Sequence, residues 1–107
     1  MIDCHLHLQD RRLGNPTPIL AAVRREKIRC LVVNGTDPDD WGEVAGLARI
    51  APEVIPCFGL HPWRVGNAAE DWRDKLERWL GAFPQAGVGE VGLDRWIRGH
   101  DVERQKE

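Results

Sequence analysis

Short apolar runs alternate with helical patterns along this chain, and that alternation restricts the fold more than any other feature. Four runs have the length of a strand and are largely apolar on both faces: residues 2–8, 30–33, 54–60 and 86–91. Such strands, separated by amphipathic segments, are typical of a parallel sheet that is covered by helices. The sequence therefore predicts an α/β fold that is built from four βα units.

Capping residues predict where the helices between these runs begin. Thr17 is placed as the N-cap of the first helix, with Pro18 at the first helical position. Asp37 is placed as the cap of the second helix, which would start at Pro38, and the third helix is expected from about Ala69.

The length of the chain bears on how much of a barrel it can form. A closed (β/α)₈ barrel needs at least about 200 residues, whereas this chain has 107 and a fourth helix only begins near Asp101. We expect one domain, residues 1–107, that corresponds to the first half of a truncated TIM barrel.

Composition excludes several classes of protein. Hydrophobic residues make up 42% and charged residues 30% of the chain, which argues against disorder. The formal net charge of −2 excludes the basic footprint of a general nucleic-acid binder. No apolar run approaches the about 20 residues that span a bilayer, so no membrane association is expected.

Cysteine usage and the N-terminus predict the compartment. Cys4, Cys30 and Cys57 are odd in number, form no CxxC pair and lie in apolar runs. This pattern favours reduced, buried thiols over a disulfide framework. The first residues lack the basic and apolar regions of a signal peptide. The predicted location is the cytoplasm.

The first strand carries the clearest chemical signal, a His-x-His pair. Residues i and i+2 of a strand point to the same face, so His5 and His7 are expected to lie side by side. Neutral imidazole is a common ligand of divalent transition metals. The pair therefore predicts half of a metal site, although two such histidines also occur by chance.

Further polar residues follow the later strands, at the end of a parallel sheet where active sites collect. His61 and Trp63 follow the third strand, and Glu90 and Asp94 occur in and after the fourth. A buried Glu90 carboxylate would need a metal or a cation such as Arg95. His61 as a turn residue and Asp94 as a loop cap remain open alternatives. Neither GxGxxG nor a P-loop lysine is present.

Together, the residues at the strand ends resemble one known family. The four motifs are Ile-Asp-Cys-His-Leu-His-Leu from Ile2, Asn-Gly-Thr-Asp from Asn34, Gly-Leu-His-Pro-Trp from Gly59 and Gly-Glu-Val-Gly-Leu-Asp from Gly89. In this order and spacing they resemble the TatD family of metal-dependent hydrolases, of which they match only the N-terminal part. Asn34 departs from the small residue that the family usually has there.

The resemblance implies a TIM-barrel member of the amidohydrolase superfamily that cleaves phosphodiester bonds in DNA or RNA. It implies divalent metal ions, two per complete site, with Mg, Mn or Zn as candidates. His5 and His7 would ligate one ion and Glu90 would bridge both. His61 would contact the scissile phosphate, so His61 and Glu90 are the predicted catalytic residues. Trp63 and Asp94 are predicted to bind substrate.

Other functions stay open at this point. The family's remaining ligands come from later strands that have no counterpart here, so we expect negligible hydrolysis by this chain alone. A remnant domain that binds metal weakly is one alternative. A PHP-type phosphoesterase, which also begins with a His-x-His strand, and a relative that deacylates aminoacyl-tRNA are two others.

Overall fold

The structure, a computed structural model, describes residues 1–107 and contains one four-stranded parallel sheet. The strands lie side by side in chain order, and a helix lies in each connection between them. They are β1 (Ile2–Leu6), β2 (Cys30–Asn34), β3 (Val54–Phe58) and β4 (Gly87–Val88). The predicted α/β architecture of four βα units is confirmed.

Four α-helices alternate with the strands: α1 (Thr17–Arg25), α2 (Trp41–Ile50), α3 (Trp72–Ala82) and α4 (Val102–Gln105). Two 3₁₀ turns lie in the loops that follow β1 and β3, at Arg11–Leu13 and Val65–Asn67. None of the helices combines the length with the apolar character that crossing a lipid bilayer requires.

The predicted start of α1 is wrong by one position. Thr17 is the first helical residue and not the cap, because the Asn15 Oδ1 atom accepts the Thr17 backbone N–H at 2.9 Å. Pro18 still lies in the first turn, where the missing N–H has no cost. Leu20 and Val23 of this helix are buried against the sheet.

The second and third helices begin about three residues later than predicted. Helix α2 starts at Trp41 and not at Pro38, because two side chains fold the preceding segment into turns. Asp37 Oδ1 accepts the Asp39 N–H at 2.9 Å, and Asp40 Oδ1 accepts the Thr36 N–H at 2.9 Å. Both contacts let an Asp side chain compete with helical hydrogen bonding. Helix α3 starts at Trp72 and not near 69.

The hydrophobic core lies between the sheet and its helices. Val33 of β2, Phe58 of β3 and Trp41 of α2 are fully buried there. The Phe58 ring stacks on Trp79 of α3 with centroids 5.5 Å apart. The buried Trp41 indole donates to the Gly59 carbonyl at 3.1 Å, so its one polar atom is satisfied. This packing fixes the positions of the two central strands.

A β-bulge in β1 determines which face the histidines occupy. Asp3 pairs with Leu31, but Leu6 and not His5 pairs with Val33, so β1 contains one extra residue between the two pairs. Paired residues of parallel strands share a face, and Leu31 and Val33 face the core. Because Leu6 takes the core-facing position, the bulge places His5 on the opposite, inner face of the sheet.

The fourth strand is shorter than the predicted run over 86–91. Only Gly87 and Val88 pair with β3. The chain then turns across the end of β3, because the Glu90 N–H donates to the Gly35 carbonyl beyond β2 at 2.9 Å. Glu90 therefore does not lie inside a strand, as the sequence predicts, but two residues beyond the end of β4.

The three cysteines are free and differ in burial. Cys57 is buried, and that burial raises the pKa of its thiol. Cys4 is exposed, so the expectation that all three thiols are buried is wrong for this residue. The reason is that Cys4 lies in β1, an edge strand whose residues 2–5 are all exposed.

Candidate metal centre

Three of the predicted site residues converge at the carboxyl ends of the strands. The Nε2 atoms of His5 and His7 each lie 3.2 Å from Oε2 of Glu90. The two imidazole rings stand nearly perpendicular, with centroids 5.2 Å apart. One ligand atom from each residue lies within 4.8 Å of the others. The structure thus forms a compact cluster of two imidazoles and one carboxylate.

The cluster joins opposite edges of the sheet. Neighbouring strands lie about 4.8 Å apart, so a flat sheet would hold β1 and β4 about 14 Å from each other. The side chains meet because the chain after β4 crosses the end of β3 and bonds to Gly35, which follows β2, the neighbour of β1.

Gly59 makes that crossing possible. A Cβ atom at Gly59 would lie 2.5 Å from the carbonyl carbon of Gly89 and 2.7 Å from the carbonyl oxygen of Glu90. Both neighbours are backbone atoms, which cannot rotate away. A side chain at this position would therefore displace the peptide that carries Glu90.

The backbone of Asn34 orients His7. The Asn34 carbonyl oxygen lies 2.8 Å from Nδ1 of His7 and accepts a second bond from Gln9 Nε2 at 2.7 Å. A carbonyl only accepts, so the His7 proton resides on Nδ1 and the Nε2 lone pair faces Glu90. Gln9 Nε2 also donates to Asp40 Oδ2 at 3.0 Å. A histidine that ligates a metal through Nε2 is usually held in this way, by a hydrogen bond from its Nδ1–H to a carbonyl or carboxylate oxygen.

The chemistry of the cluster fits a divalent cation. Oε2 of Glu90 is buried and has no hydrogen-bond partner, which is costly for a carboxylate oxygen. Ligand atoms that share one cation at about 2.1 Å lie about 3.0–3.4 Å apart, which matches the 3.2 Å separations of both histidine nitrogens from Glu90. A cation among these three residues would satisfy the orphaned oxygen.

His61 lies beside the cluster with a different orientation. Its Nδ1 accepts the Trp63 backbone N–H at 3.1 Å, so in the neutral ring the proton resides on Nε2. That Nε2 lies 3.3 Å from Oε1 of Glu90, whereas His5 and His7 lie 3.2 Å from Oε2. His61 therefore presents a hydrogen-bond donor where His7 presents a lone pair.

Trp63 and Asp94 lie on the far side of His61 and contact each other. The Trp63 indole N–H donates to Asp94 Oδ2 at 2.8 Å, and the Trp96 backbone N–H donates to Asp94 Oδ1 at 2.7 Å. Trp63 borders the cleft beside His61 and is 44% exposed. Both oxygens of Asp94 are thus occupied within the protein, which matches the loop-cap alternative.

A cleft of about 900 Å³ opens next to the cluster. Three arginines border it, and each contacts a carboxylate: Arg11 contacts Glu43, Arg12 contacts Asp10 and Arg64 contacts Asp37. The hydrogen bond from Arg12 lowers the pKa of Asp10 to about 2. The cleft therefore has cations that can reach an anion, but none that lacks a carboxylate nearby.

Comparison with known families decides the relationship. The family described as TatD related DNase matches residues 2–107 of this chain. The chain belongs to the TatD-related DNase family. The match spans every strand and every cluster residue described above, so the resemblance of the four motifs is confirmed.

A solved structure supports the fold of this TatD-related chain. The crystal structure of YjjV, a TatD homologue from Escherichia coli K12, superposes with a TM-score of 0.87 at 25% sequence identity. The match covers 99% of this chain and 42% of YjjV, so the chain spans less than half the length of that protein. A search of curated proteins finds no match. The predicted barrel-type fold is confirmed.

The sequence predicted the cluster residues but not the groups that orient them. Gln9 lies in a turn beyond the end of β1, so the two-residue spacing of His5 and His7 did not predict its position. No signal in the sequence pointed to the Asn34 carbonyl or to Gln105. Every residue has a main-chain carbonyl, and a side-chain amide that bonds to a distant loop belongs to no recognisable sequence motif.

Proposed function

We propose that this chain carries the metal centre of a divalent-metal-dependent nuclease that cleaves phosphodiester bonds of DNA or RNA. The observation that carries the proposal is the buried Glu90 oxygen without a hydrogen-bond partner, 3.2 Å from two imidazole nitrogens. Membership of a family described as DNase supports the nucleic-acid substrate.

His5, His7 and Glu90 would hold the cation. A divalent cation at this position supplies Lewis-acid chemistry toward a phosphoester. Two nitrogens and one oxygen suit zinc and manganese better than magnesium, which prefers oxygen ligands. The Nδ1–H bond to Asn34 keeps the His7 lone pair directed at the cation.

His61 would bind the substrate without ligating the cation. Its Nε2 proton points toward Glu90, so it can donate to a phosphate oxygen that lies against the cluster. The half-exposed Trp63 face at the cleft offers a surface on which a base can stack. Asp94 would act on substrate through Trp63, whose indole it holds.

A complete site would take two cations, with Glu90 between them. The three ligands described here are too few for two cations. The remaining ligands would come from a polypeptide segment that residues 1–107 do not include. We therefore expect this chain to bind cation and nucleic acid but to hydrolyse nucleic acid very slowly.

The test is metal-dependent binding of a short, fluorescently labelled oligonucleotide, as DNA and as RNA, followed by anisotropy. With Mn²⁺, the chain should bind at least about tenfold more tightly than with chelator. Glu90→Gln should remove that difference, and Glu103→Gln, which changes an exposed carboxylate outside the cluster, should keep it.

Two results would overturn the proposal. One is oligonucleotide binding of equal strength with Mn²⁺ and with chelator. The other is Mn²⁺-dependent release of the amino acid from aminoacyl-tRNA in the absence of any phosphodiester binding, which would assign a different ester as the substrate.

A further inference from the structure

Gln105 in the last turn of α4 makes three hydrogen bonds to two separate loops. Its Nε2 donates to the Pro62 carbonyl at 3.1 Å and to the Asp94 carbonyl at 2.9 Å. Its Oε1 accepts the Asp94 backbone N–H at 2.9 Å. The side chain therefore ties the loop after β3 to the loop after β4.

The two loops that Gln105 joins hold His61 from both sides. Pro62 follows His61 directly in the chain. Asp94 holds the Trp63 indole, and the Trp63 backbone N–H in turn holds Nδ1 of His61. A continuous set of hydrogen bonds thus runs from Gln105 to the imidazole that faces Glu90 at 3.3 Å.

Apolar packing fixes the loop after β3 at Leu60 and Pro62, which are buried, but it does not fix Trp63 or the loop after β4. Trp63 is 44% exposed, and Leu93 next to Asp94 is 63% exposed. Loops with few buried contacts open locally at small free-energy cost. The positions of the Trp63 indole and of Asp94 therefore depend on the polar contacts that the Gln105 amide supplies.

We propose that Gln105 is a positioning residue that keeps the His61 proton on Nε2 and directs it toward Glu90. The inference rests on the proposed function for its catalytic meaning, because His61 is the group that would donate to the phosphate. Without Gln105, Trp63 and its backbone N–H would move away from Nδ1, and His61 would lose the contact that selects its tautomer.

The experiment compares Gln105→Met with Lys106→Met in the ¹⁵N-labelled chain of residues 1–107, without metal or substrate. Methionine keeps the length and helix propensity of glutamine but makes none of the three bonds. Lys106 is the adjacent residue, and its side chain contacts only Glu103 at the surface. Long-range ¹H–¹⁵N spectra at alkaline pH report which ring nitrogen of His61 carries the proton.

In the parent chain and in Lys106→Met, His61 should be the Nε2–H tautomer and the Trp63 indole N–H should be protected from exchange. In Gln105→Met, the tautomers should mix and the indole should exchange roughly tenfold faster, as loss of one hydrogen bond predicts. A variant that is only less stable would exchange its indole proton faster but would keep the Nε2–H tautomer of His61 while it remains folded.

The proposal is overturned if Gln105→Met keeps both signals, or if His61 of the parent chain carries its proton on Nδ1. The second outcome is read from the unaltered protein, so it applies even if the variant fails to fold. Neither reading depends on nuclease activity, which separates failure of this inference from failure of the proposed function.

Discussion

The two central strands and the two edge strands of the sheet differ in burial and in chemistry. In β2 and β3, Val33 and Phe58 are fully buried, and neither strand supplies a member of the cluster. In β1 and β4, Ile2 is 60% and Val88 is 59% exposed, yet the histidines and Glu90 lie in or just beyond these strands. Stability and chemistry are thus assigned to different strands.

Hydrogen bonds hold the chain at the edge of the sheet after β4, whereas apolar packing holds the central strands β2 and β3. The backbone N–H groups of Gly89 and Glu90 donate to the carbonyls of Phe58 and Gly35 at 3.0 and 2.9 Å. Those acceptors belong to the packed centre or follow it directly. The comparison teaches that the packed central strands provide the acceptors that carry Glu90 across the sheet toward the exposed histidines of β1.

The largest expected effect is in the packed centre. Phe58→Ala should lower the free energy of unfolding by about 3–5 kcal/mol, because it leaves a cavity among buried rings. Val88 of β4 pairs with Phe58 in the sheet. Val88→Ala should lower the free energy of unfolding by less than about 0.5 kcal/mol, because that side chain is exposed. Urea unfolding monitored by tryptophan fluorescence measures both. Equal costs would break the distinction between centre and edge.

Gly59→Ala tests the crossing that links centre and edge. The added Cβ would overlap backbone atoms of residues 89–90, so we expect a loss of about 1–3 kcal/mol in unfolding free energy and a loss of Mn²⁺ affinity. Gly46→Ala in α2 is the control, since a Cβ there meets nothing within 4 Å. Calorimetric titration and thermal unfolding give the two values. Unchanged Mn²⁺ affinity in Gly59→Ala would contradict the proposed crossing.

A smaller effect is expected at Glu53, which lies just before β3 and accepts a bond from Arg24 of α1 at 2.7 Å. That hydrogen bond lowers the pKa of Glu53 below its ordinary value of 4.5. The unfolded chain then binds the proton more tightly, so the stabilisation is present above pH 4.5 and disappears as the pH falls through the lowered pKa.

Glu53→Gln should therefore cost about 0.5–1 kcal/mol at pH 7, since half of the Arg24 side chain is solvent-exposed. The difference from the parent chain should vanish in acid. Glu26→Gln, which alters the more exposed pair with Arg25, is the control and should change little. Unfolding free energies measured from pH 7 to pH 3 show whether the cost follows the titration of Glu53.

Much of the fold was predictable from the sequence because the strand pattern is local. The apolar runs located β1, β2 and β3, and the His-x-His spacing placed both histidines on one face. The pattern could not show the bulge, which moves His5 to the inner face by changing its pairing with β2. Pairing depends on a second strand, so one strand alone does not specify it.

The start of α2 and the end of β4 were predicted wrongly for a similar reason. Asp40 folds the chain before α2 by binding Thr36, and Glu90 leaves the sheet by bonding to Gly35. In each case a backbone N–H group, that of Thr36 or of Glu90, bonds to an acceptor outside a regular helix or strand. Only the folded chain determines which acceptor is close enough. The site residues were identifiable by type, whereas Gln9 and Gln105, which support them, were not.

The central claim is that His5, His7 and Glu90 hold a divalent cation. Calorimetric titration of the metal-free chain with Mn²⁺ and with Zn²⁺ tests it most directly, alongside Glu90→Gln and the control Glu103→Gln, which lies outside the cluster. The account predicts one cation bound per chain, affinity reduced by roughly 100-fold in Glu90→Gln and no change in the control. Equal affinity in the parent chain and Glu90→Gln, or no binding by the parent chain, would contradict it.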